Sequence, residues 1–329
     1  MKGAKIAGGW TNVRDPWRMA QLCGRMRPMM KSRKEIRQAT LARSVHCSGI
    51  GLHSGVPVNM TLRPAPEDSG ISFLRRDLED EARRIPVNPQ AVSDTMLGTT
   101  VSNGRGGRVL TIEHLMSAFA GLGIDNAEIE LDAEEIPILD GSAAGFVVLV
   151  ESAGVKWQAR ARRYIRIRRP VVVEDGVKRA ALSPAGATEF EFEIDFPTPV
   201  IGRQHYALEV TPDSFKVEIA RARTFGFLQD VDALRAMGLA QGGSLDNAIV
   251  IDGDRVVNPE GLRFSDEFVR HKLLDAMGDL YVLGMPIMGR YAARRSGHTL
   301  NNALVRALLE QKSAFEVIPR SPQAAFRPE

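Results

Sequence analysis

Asp266-Glu-Phe-Val-Arg-His271-Lys-Leu-Leu-Asp275-Ala-Met-Gly-Asp279-Leu-Tyr-Val-Leu283 is the stretch on which the reading of this chain turns. Phe268, Leu273, Met277 and Leu280 fall into an apolar stripe at helical spacing, so the segment predicts the strongest helix of the sequence. Upstream of it, Ala248–Ile251 and Arg255–Val257 read as a hairpin about Asp252-Gly-Asp254, and Asp230–Gly238 as a short helix capped by Asp230. Further back, Glu189–Phe196 alternates acids with Phe190, Phe192, Ile194 and Phe196, a period of two that marks a strand with one buried face. Downstream, a last helix is expected from near Thr299.

The first half repeats this style. Gln38–Leu52, Val58–Arg63 and Gly70–Leu74 read as strands between Gly and Pro punctuation, and Arg105-Gly-Gly107 as a turn before Arg108–Leu110. A helix is expected with Thr111 as its N-cap, stopping at Gly121-Leu-Gly123; Asn126–Leu131 is a further strand and Gly145–Ala153 a second helix. Between the halves, the Arg-dense segment Arg160–Pro170 reads as an exposed connection into a new edge strand. Strands followed by helices, twice over, predict an α+β fold rather than an alternating parallel sheet.

Composition narrows the function. The 329 residues are 44% apolar and 25% charged, as expected of a soluble globular protein with two domains or one large one. The longest uncharged apolar segment, Leu280–Gly289, is interrupted by Pro286 and is well short of the ~18 apolar residues of a membrane span. Residues 1–38 hold ten Lys/Arg against two acids, a local +8, so the overall +3 leaves the body at −5. An acidic body weighs against nucleic acid as a partner. The leader, residues 1–37, lacks the apolar core of a secretory signal, and no fold is expected of it or of a flexible tail over 319–329. Cys23 and Cys47 are too few for a disulfide framework or a Cys-rich zinc site and suit a reducing, cytoplasmic compartment. Any metal must therefore be held by His and carboxylates.

Three of the six histidines stand beside other reactive groups: Glu113-His114, His271 with Asp275 and Asp279, and Ser296-Gly-His298. Positions four apart on a helix share a face, so His271 and Asp275 can chelate one ion from a single rigid element. A hydrolytic zinc takes a His/His/carboxylate set with one open position, and His114 can complete it, leaving Glu113 as a base. Each pattern alone has a plainer reading. His-x-x-x-Asp is commonly a surface pair, Glu-His at a helix start an acid favoured by the dipole, and His298 a turn residue. Asp275 and Asp279 argue for more, because an unpaired carboxylate on a mostly buried helix is costly. No His-Glu-x-x-His is present.

Taken together and in this order, Thr111-Ile-Glu-His-Leu-Met-Ser-Ala118, Arg270-His-Lys-Leu-Leu-Asp-Ala-Met-Gly-Asp-Leu280 and Ser296-Gly-His-Thr-Leu-Asn-Asn302 resemble the zinc-dependent UDP-3-O-acyl-N-acetylglucosamine deacetylases of lipid A biosynthesis. Gly49-Ile-Gly-Leu-His53-Ser-Gly, Glu135-Ile-Pro-Ile-Leu-Asp140-Gly-Ser142, Arg221-Ala-Arg-Thr224-Phe-Gly-Phe227, Gly242-Gly-Ser244 and Asn258-Pro-Glu-Gly-Leu-Arg263 agree, so the similarity runs from about Gln38 to about Gln311. The resemblance implies two similar α+β domains, 38–163 and 164–318, each a sheet packed with helices, with the site between them and an acyl-chain tunnel insert in the second. It implies Zn2+ on His114, His271 and Asp275, Glu113 as base, and His298 as acid, oriented by Asp279. Thr224 would steady the oxyanion. The implied reaction removes the N-acetyl group from a UDP-linked 3-O-acylated glucosamine.

Lys272 and Arg295 are expected at the diphosphate, although relatives commonly carry lysine at the latter position. Phe196 is expected near the nucleotide, and Ile219, Phe225, Phe227, Ala240 and Gly243 along the acyl tunnel. His53 matches a family histidine without an assigned duty. A monomeric cytoplasmic enzyme is expected; the alternative is a zinc amidohydrolase of the same fold acting on another acylated amino sugar.

Overall fold

The computed structural model describes residues 36–319, so the leader before Ile36 and the tail from Arg320 lie outside the described residues. The first half runs β1 (Arg37–Leu41), β2 (Val45–Ile50), β3 (Pro57–Pro64), β4 (Ile71–Arg75), β5 (Arg84–Pro86), β6 (Val92–Asp94), β7 (Thr100–Ser102) and β8 (Arg108–Val109). Helix α1 (Glu113–Leu122), β9 (Ala127–Leu131), α2 (Ala144–Ala153) and β10 (Val155–Ala161) complete it. A five-stranded sheet is ordered β2-β3-β9-β4-β5, β6-β7-β8 form a small meander, and β1 pairs with β10. The expected single strand over Gln38–Leu52 is therefore two, because β1 and β2 hydrogen-bond into different sheets.

The second half opens with β11 (Arg163–Ile167), β12 (Val171–Asp175), β13 (Lys178–Ser183), β14 (Thr188–Asp195) and β15 (Arg203–Glu209). It continues through α3 (Pro212–Ser214), β16 (Phe225–Phe227), α4 (Leu228–Ala236), β17 (Ile249–Asp252) and β18 (Arg255–Val256). Helix α5 (Glu267–Tyr281), β19 (Ile287–Arg294), α6 (His298–Glu310) and β20 (Phe315–Pro319) close it. Seven strands share one sheet, ordered β12-β13-β19-β11-β20, with β14 also on β19 and β15 on β14. The sheets divide at Arg162: among the described residues, no strand before it shares a sheet with one after it.

The α+β expectation holds, and the local patterns explain most of it. Phe190, Phe192 and Ile194 of β14 are buried, while Glu191 and Glu193 point outward to Arg290, Arg203 and Arg294. Three expectations need correction. The Arg160–Pro170 segment leads into an edge strand, β12, as expected, but it is not an exposed connection: its middle is β11, which lies between β19 and β20 with Tyr164, Ile165 and Ile167 buried and the outward Arg166 paired with Glu316. Thr111 does not cap α1: its φ is +59°, and its hydroxyl donates to Glu135 Oε1 at 2.9 Å, leaving Ile112 at the cap position. Asp230 lies inside the first turn of α4, which is preceded by Phe227.

Helix α5 departs from the stripe that its sequence predicts. Thirteen of its fifteen residues are buried, so polar as well as apolar side chains are withdrawn from bulk water. It packs along α1, and the apolar core runs from Leu115 and Phe119 of α1 into Leu273 and Met277 of α5. Gly278 makes the contact possible, since a Cβ there would lie 2.0 Å from the carbonyl oxygen of Glu113. Gly278→Ala should therefore push α1 off α5 and destabilise the fold by about 1–3 kcal/mol, the usual cost of overpacking; urea denaturation measures this, and an unchanged midpoint would show that the helices adjust freely.

Candidate active site

Three elements aim the reactive groups at one cleft of about 850 Å³: the first turn of α1, the middle of α5 and the first residue of α6. His114 and His271 meet nearly perpendicular, at 85°, with ring centroids 5.0 Å apart. Asp275 Oδ1 lies 3.5 Å from His114 Nε2 and 3.2 Å from His271 Nε2. One donor atom from each of the three lies within 4.8 Å of the others, and all three residues are buried.

This set fits a divalent cation on its own chemistry. His271 Nδ1 donates to the Ala222 carbonyl at 3.0 Å, which leaves Nε2 with its lone pair directed at Asp275. Burial pushes the His271 pKa down to about 3, so the ring is neutral, as a ligand must be. Burial opposes the charge of Asp275, yet its pKa is held well below the ordinary carboxyl range, and with His271 neutral the cation beside it is Lys272. Lys272 Nζ holds Asp275 Oδ2 at 3.0 Å, whereas the buried Oδ1 has no hydrogen-bond donor. A carboxylate oxygen so placed, facing two imidazole nitrogens, could serve with them to hold a divalent cation.

Beside this set sit an acid and an imidazole of opposite character. Burial raises the Glu113 pKa above the ordinary carboxyl range, although His298 and His114 oppose the shift; Glu113 Oε2 accepts the Thr99 N–H at 2.9 Å. Burial also disfavours the charged form of His298, but the facing Asp279 carboxylate prevails and pushes its pKa up to about 9. His298 Nδ1 donates to both Asp279 oxygens, at 3.0 and 2.9 Å. Asp279 is held from behind by Thr99 Oγ1 at 2.6 Å and Asn301 Nδ2 at 2.8 Å. Asn301 in turn accepts from Tyr291 and Ser296.

Thr224 and Phe225 line the cleft and also a second, more apolar chamber of about 540 Å³; Leu52 and Leu97 are shared in the same way, so the two spaces adjoin. Phe227, Ala240 and Gly243 line only the apolar chamber. His53 lines it as well, with a buried Nε2 that has no partner. Three sequence expectations fall outside both spaces. Ile219 is fully buried in the core, and Phe196 packs its ring against Phe225 and Phe227 rather than facing the cleft. Arg295 does not line the cleft either; its guanidinium pairs with Asp195.

Several supports were not singled out from sequence. Arg223, 1% exposed, grips Glu267 and Glu260 and fixes the segment that presents the Ala222 carbonyl and Thr224. Glu135 accepts from the His53 and Ser54 backbone and from the Ser54 and Thr111 hydroxyls, clamping the loop that forms one wall of the chamber. The Thr224 N–H donates to the Gly141 carbonyl at 2.8 Å, tying the two halves together. Gly141 sits at φ +79°, and a Cβ there would lie 2.0 Å from the Asn247 carbonyl oxygen. Gly141, Glu135 and Arg223 stand in the motif segments, but nothing local in the sequence tells which partner each one meets.

A His/His/carboxylate donor set beside an acid and an imidazole, all on a deep cleft, defines the class of metal-dependent hydrolases. A family model for UDP-3-O-acyl N-acetylglycosamine deacetylase matches residues 38–310. The chain is 54% identical over 270 residues to the UDP-3-O-acyl-N-acetylglucosamine deacetylase of Phenylobacterium zucineum (strain HLK1), covering 82% of this chain and 92% of that protein. It is 51% identical over 289 residues to the protein of the same name from Shewanella sp. (strain W3-18-1), covering 87% and 94%. The chain belongs to the UDP-3-O-acyl N-acetylglycosamine deacetylase family.

His271→Ala should abolish stoichiometric retention of a divalent ion, read by elemental analysis of the purified protein. One tightly held ion per chain in that variant would remove His271 from the donor set.

Proposed function

We propose that this chain is a zinc-dependent deacetylase that hydrolyses the N-acetyl amide of UDP-3-O-(3-hydroxyacyl)-N-acetylglucosamine to the free amine and acetate, the committed step of lipid A biosynthesis. The observation that carries this reading is the convergence of His114, His271 and Asp275 on one point, with Glu113 and His298 facing the same cleft. Zinc on those three side chains would supply Lewis acidity, polarising the amide carbonyl and making water a better nucleophile at neutral pH.

The remaining roles belong to the chain itself. Glu113, with its proton affinity raised by burial, takes a proton from the attacking water. An amide nitrogen leaves only once protonated, and His298, kept charged by Asp279, carries the proton that it needs. The Thr224 hydroxyl, on the cleft wall and without another side-chain partner among the described residues, donates to the oxygen that gains charge. Lys272 meets the diphosphate from the cleft floor, and Arg295 serves as a second cation once drawn from Asp195. Phe225, Phe227 and Gly243 receive the acyl chain in the apolar chamber, and Phe196 backs the two aromatic rings.

The division of the sheets at Arg162 supports a two-domain organisation, 38–163 and 164–318, with the site between. The cysteine usage supports a cytoplasmic enzyme, and we take it to be monomeric. Among the described residues, no helix is long and apolar enough to cross a membrane.

A deacetylation assay with and without a chelator tests the reading, with activity expected to vanish on chelation and return with zinc. The 3-O-acylated substrate should be turned over far faster than unacylated UDP-N-acetylglucosamine. Equal rates would instead favour an amidohydrolase for a different amino sugar. Glu113→Ala should keep its zinc and lose roughly 10²–10⁴-fold in kcat, the usual share of a positioned base; near-normal turnover would refute the assignment.

A further inference from the structure

Thr99 is the one described residue that hydrogen-bonds to both halves of the proton-handling apparatus. Its backbone N–H donates to Glu113 Oε2 at 2.9 Å, and its hydroxyl donates to Asp279 Oδ1 at 2.6 Å. It is 3% exposed, as are Glu113 and Asp279, so water does not compete for these bonds. Glu113 sits on α1 and Asp279 on α5, and no hydrogen bond joins the two carboxylates directly. We propose that Thr99 is a positioning residue that sets Glu113 and the Asp279–His298 pair in fixed register across the cleft. This inference rests on the roles given above to Glu113 and His298.

The physical argument is one of directed donors. An ionised carboxylate with four lone-pair sites turns about its Cβ–Cγ bond unless donors fix it. Asp279 has three: His298 on both oxygens, Asn301 on Oδ2 and Thr99 on Oδ1. His298 spans both oxygens and Asn301 holds Oδ2, so Thr99 supplies the second, independent donor to Oδ1 that resists rotation of the carboxylate. Since the same residue holds Glu113 by its backbone, any drift of the 94–99 loop moves both groups together. That loop also forms the wall shared by the cleft and the apolar chamber, through Leu97, and Thr95 Oγ1 reaches Thr299 Oγ1 at 3.0 Å on α6. Thr99 thus links the wall that the substrate touches to the groups that move protons.

Thr99→Val keeps the shape and the backbone N–H but removes the hydroxyl; Thr99→Ser keeps the hydroxyl and removes a methyl. Loss of a group that orients a functional side chain costs on the order of 10–100-fold. Thr99→Val should lower kcat by that much with KM changed less than about twofold and the zinc content unchanged, and Thr99→Ser should restore kcat. The second readout needs no turnover. In protein without substrate, the downfield proton resonance of His298 Nδ1–H against Asp279 should shift or broaden in Thr99→Val and stay in place in Thr99→Ser. If Thr99→Val does not fold, Thr99→Ala against Thr99→Ser carries the same comparison. A serine variant as impaired as the valine variant, a kcat loss matched by KM, or an unmoved resonance would overturn the proposal. The resonance tests Thr99 even if the chain acts on a different amide, so a failed substrate assignment and a failed positioning role remain distinct.

Discussion

The contact between α1 and α5, made possible by a glycine where any other residue would strike the Glu113 carbonyl, is the constraint on which the site depends. It brings three carboxylates, Glu113, Asp275 and Asp279, into a buried space on two helices. Like charges so close and so poorly solvated repel strongly, and the fold must offset this. Each carboxylate has its own counterpart: Lys272 for Asp275, His298 with Thr99 and Asn301 for Asp279, and the Thr99 amide for Glu113. Burial raises the pKa of Glu113, which suits the proton-accepting role proposed for it.

Local pattern reported what depends on near neighbours. The alternation over Glu189–Phe196 marked a strand because each residue's burial follows from the pleat alone. The pairing of His271 with Asp275 was legible because four residues along a helix is a fixed distance. What pattern could not report was the number of faces an element buries. Helix α5 carries a narrow apolar stripe, yet it is buried well beyond that stripe because polar residues such as Asp279 find partners on α6 and in the 94–99 loop, while His271 and Asp275 face the cleft. Strand β11, dense in arginine, lies inside a sheet because Tyr164, Ile165 and Ile167 are buried while the outward Arg166 finds a glutamate on β20.

The candidate site divides along the same line. That His114 would face His271 across a helix interface followed from resemblance to a family and not from spacing, since 157 positions separate them. Thr99, Arg223 and Glu135 escaped notice because their significance lies wholly in distant partners. Threonine 99 has no local signal at all. An arginine like Arg223, which is 1% exposed, can be recognised only once its carboxylate partners are in place.

Asp275 and Asp279 stand one turn apart on a single rigid helix, one within the donor set and the other behind His298. The two duties are therefore geared to one shaft. A small rotation of α5 about its axis would misalign both at once, whereas a sideways displacement of α6, which carries His298 and Asn301, would disturb the Asp279 end and leave Asp275 in place.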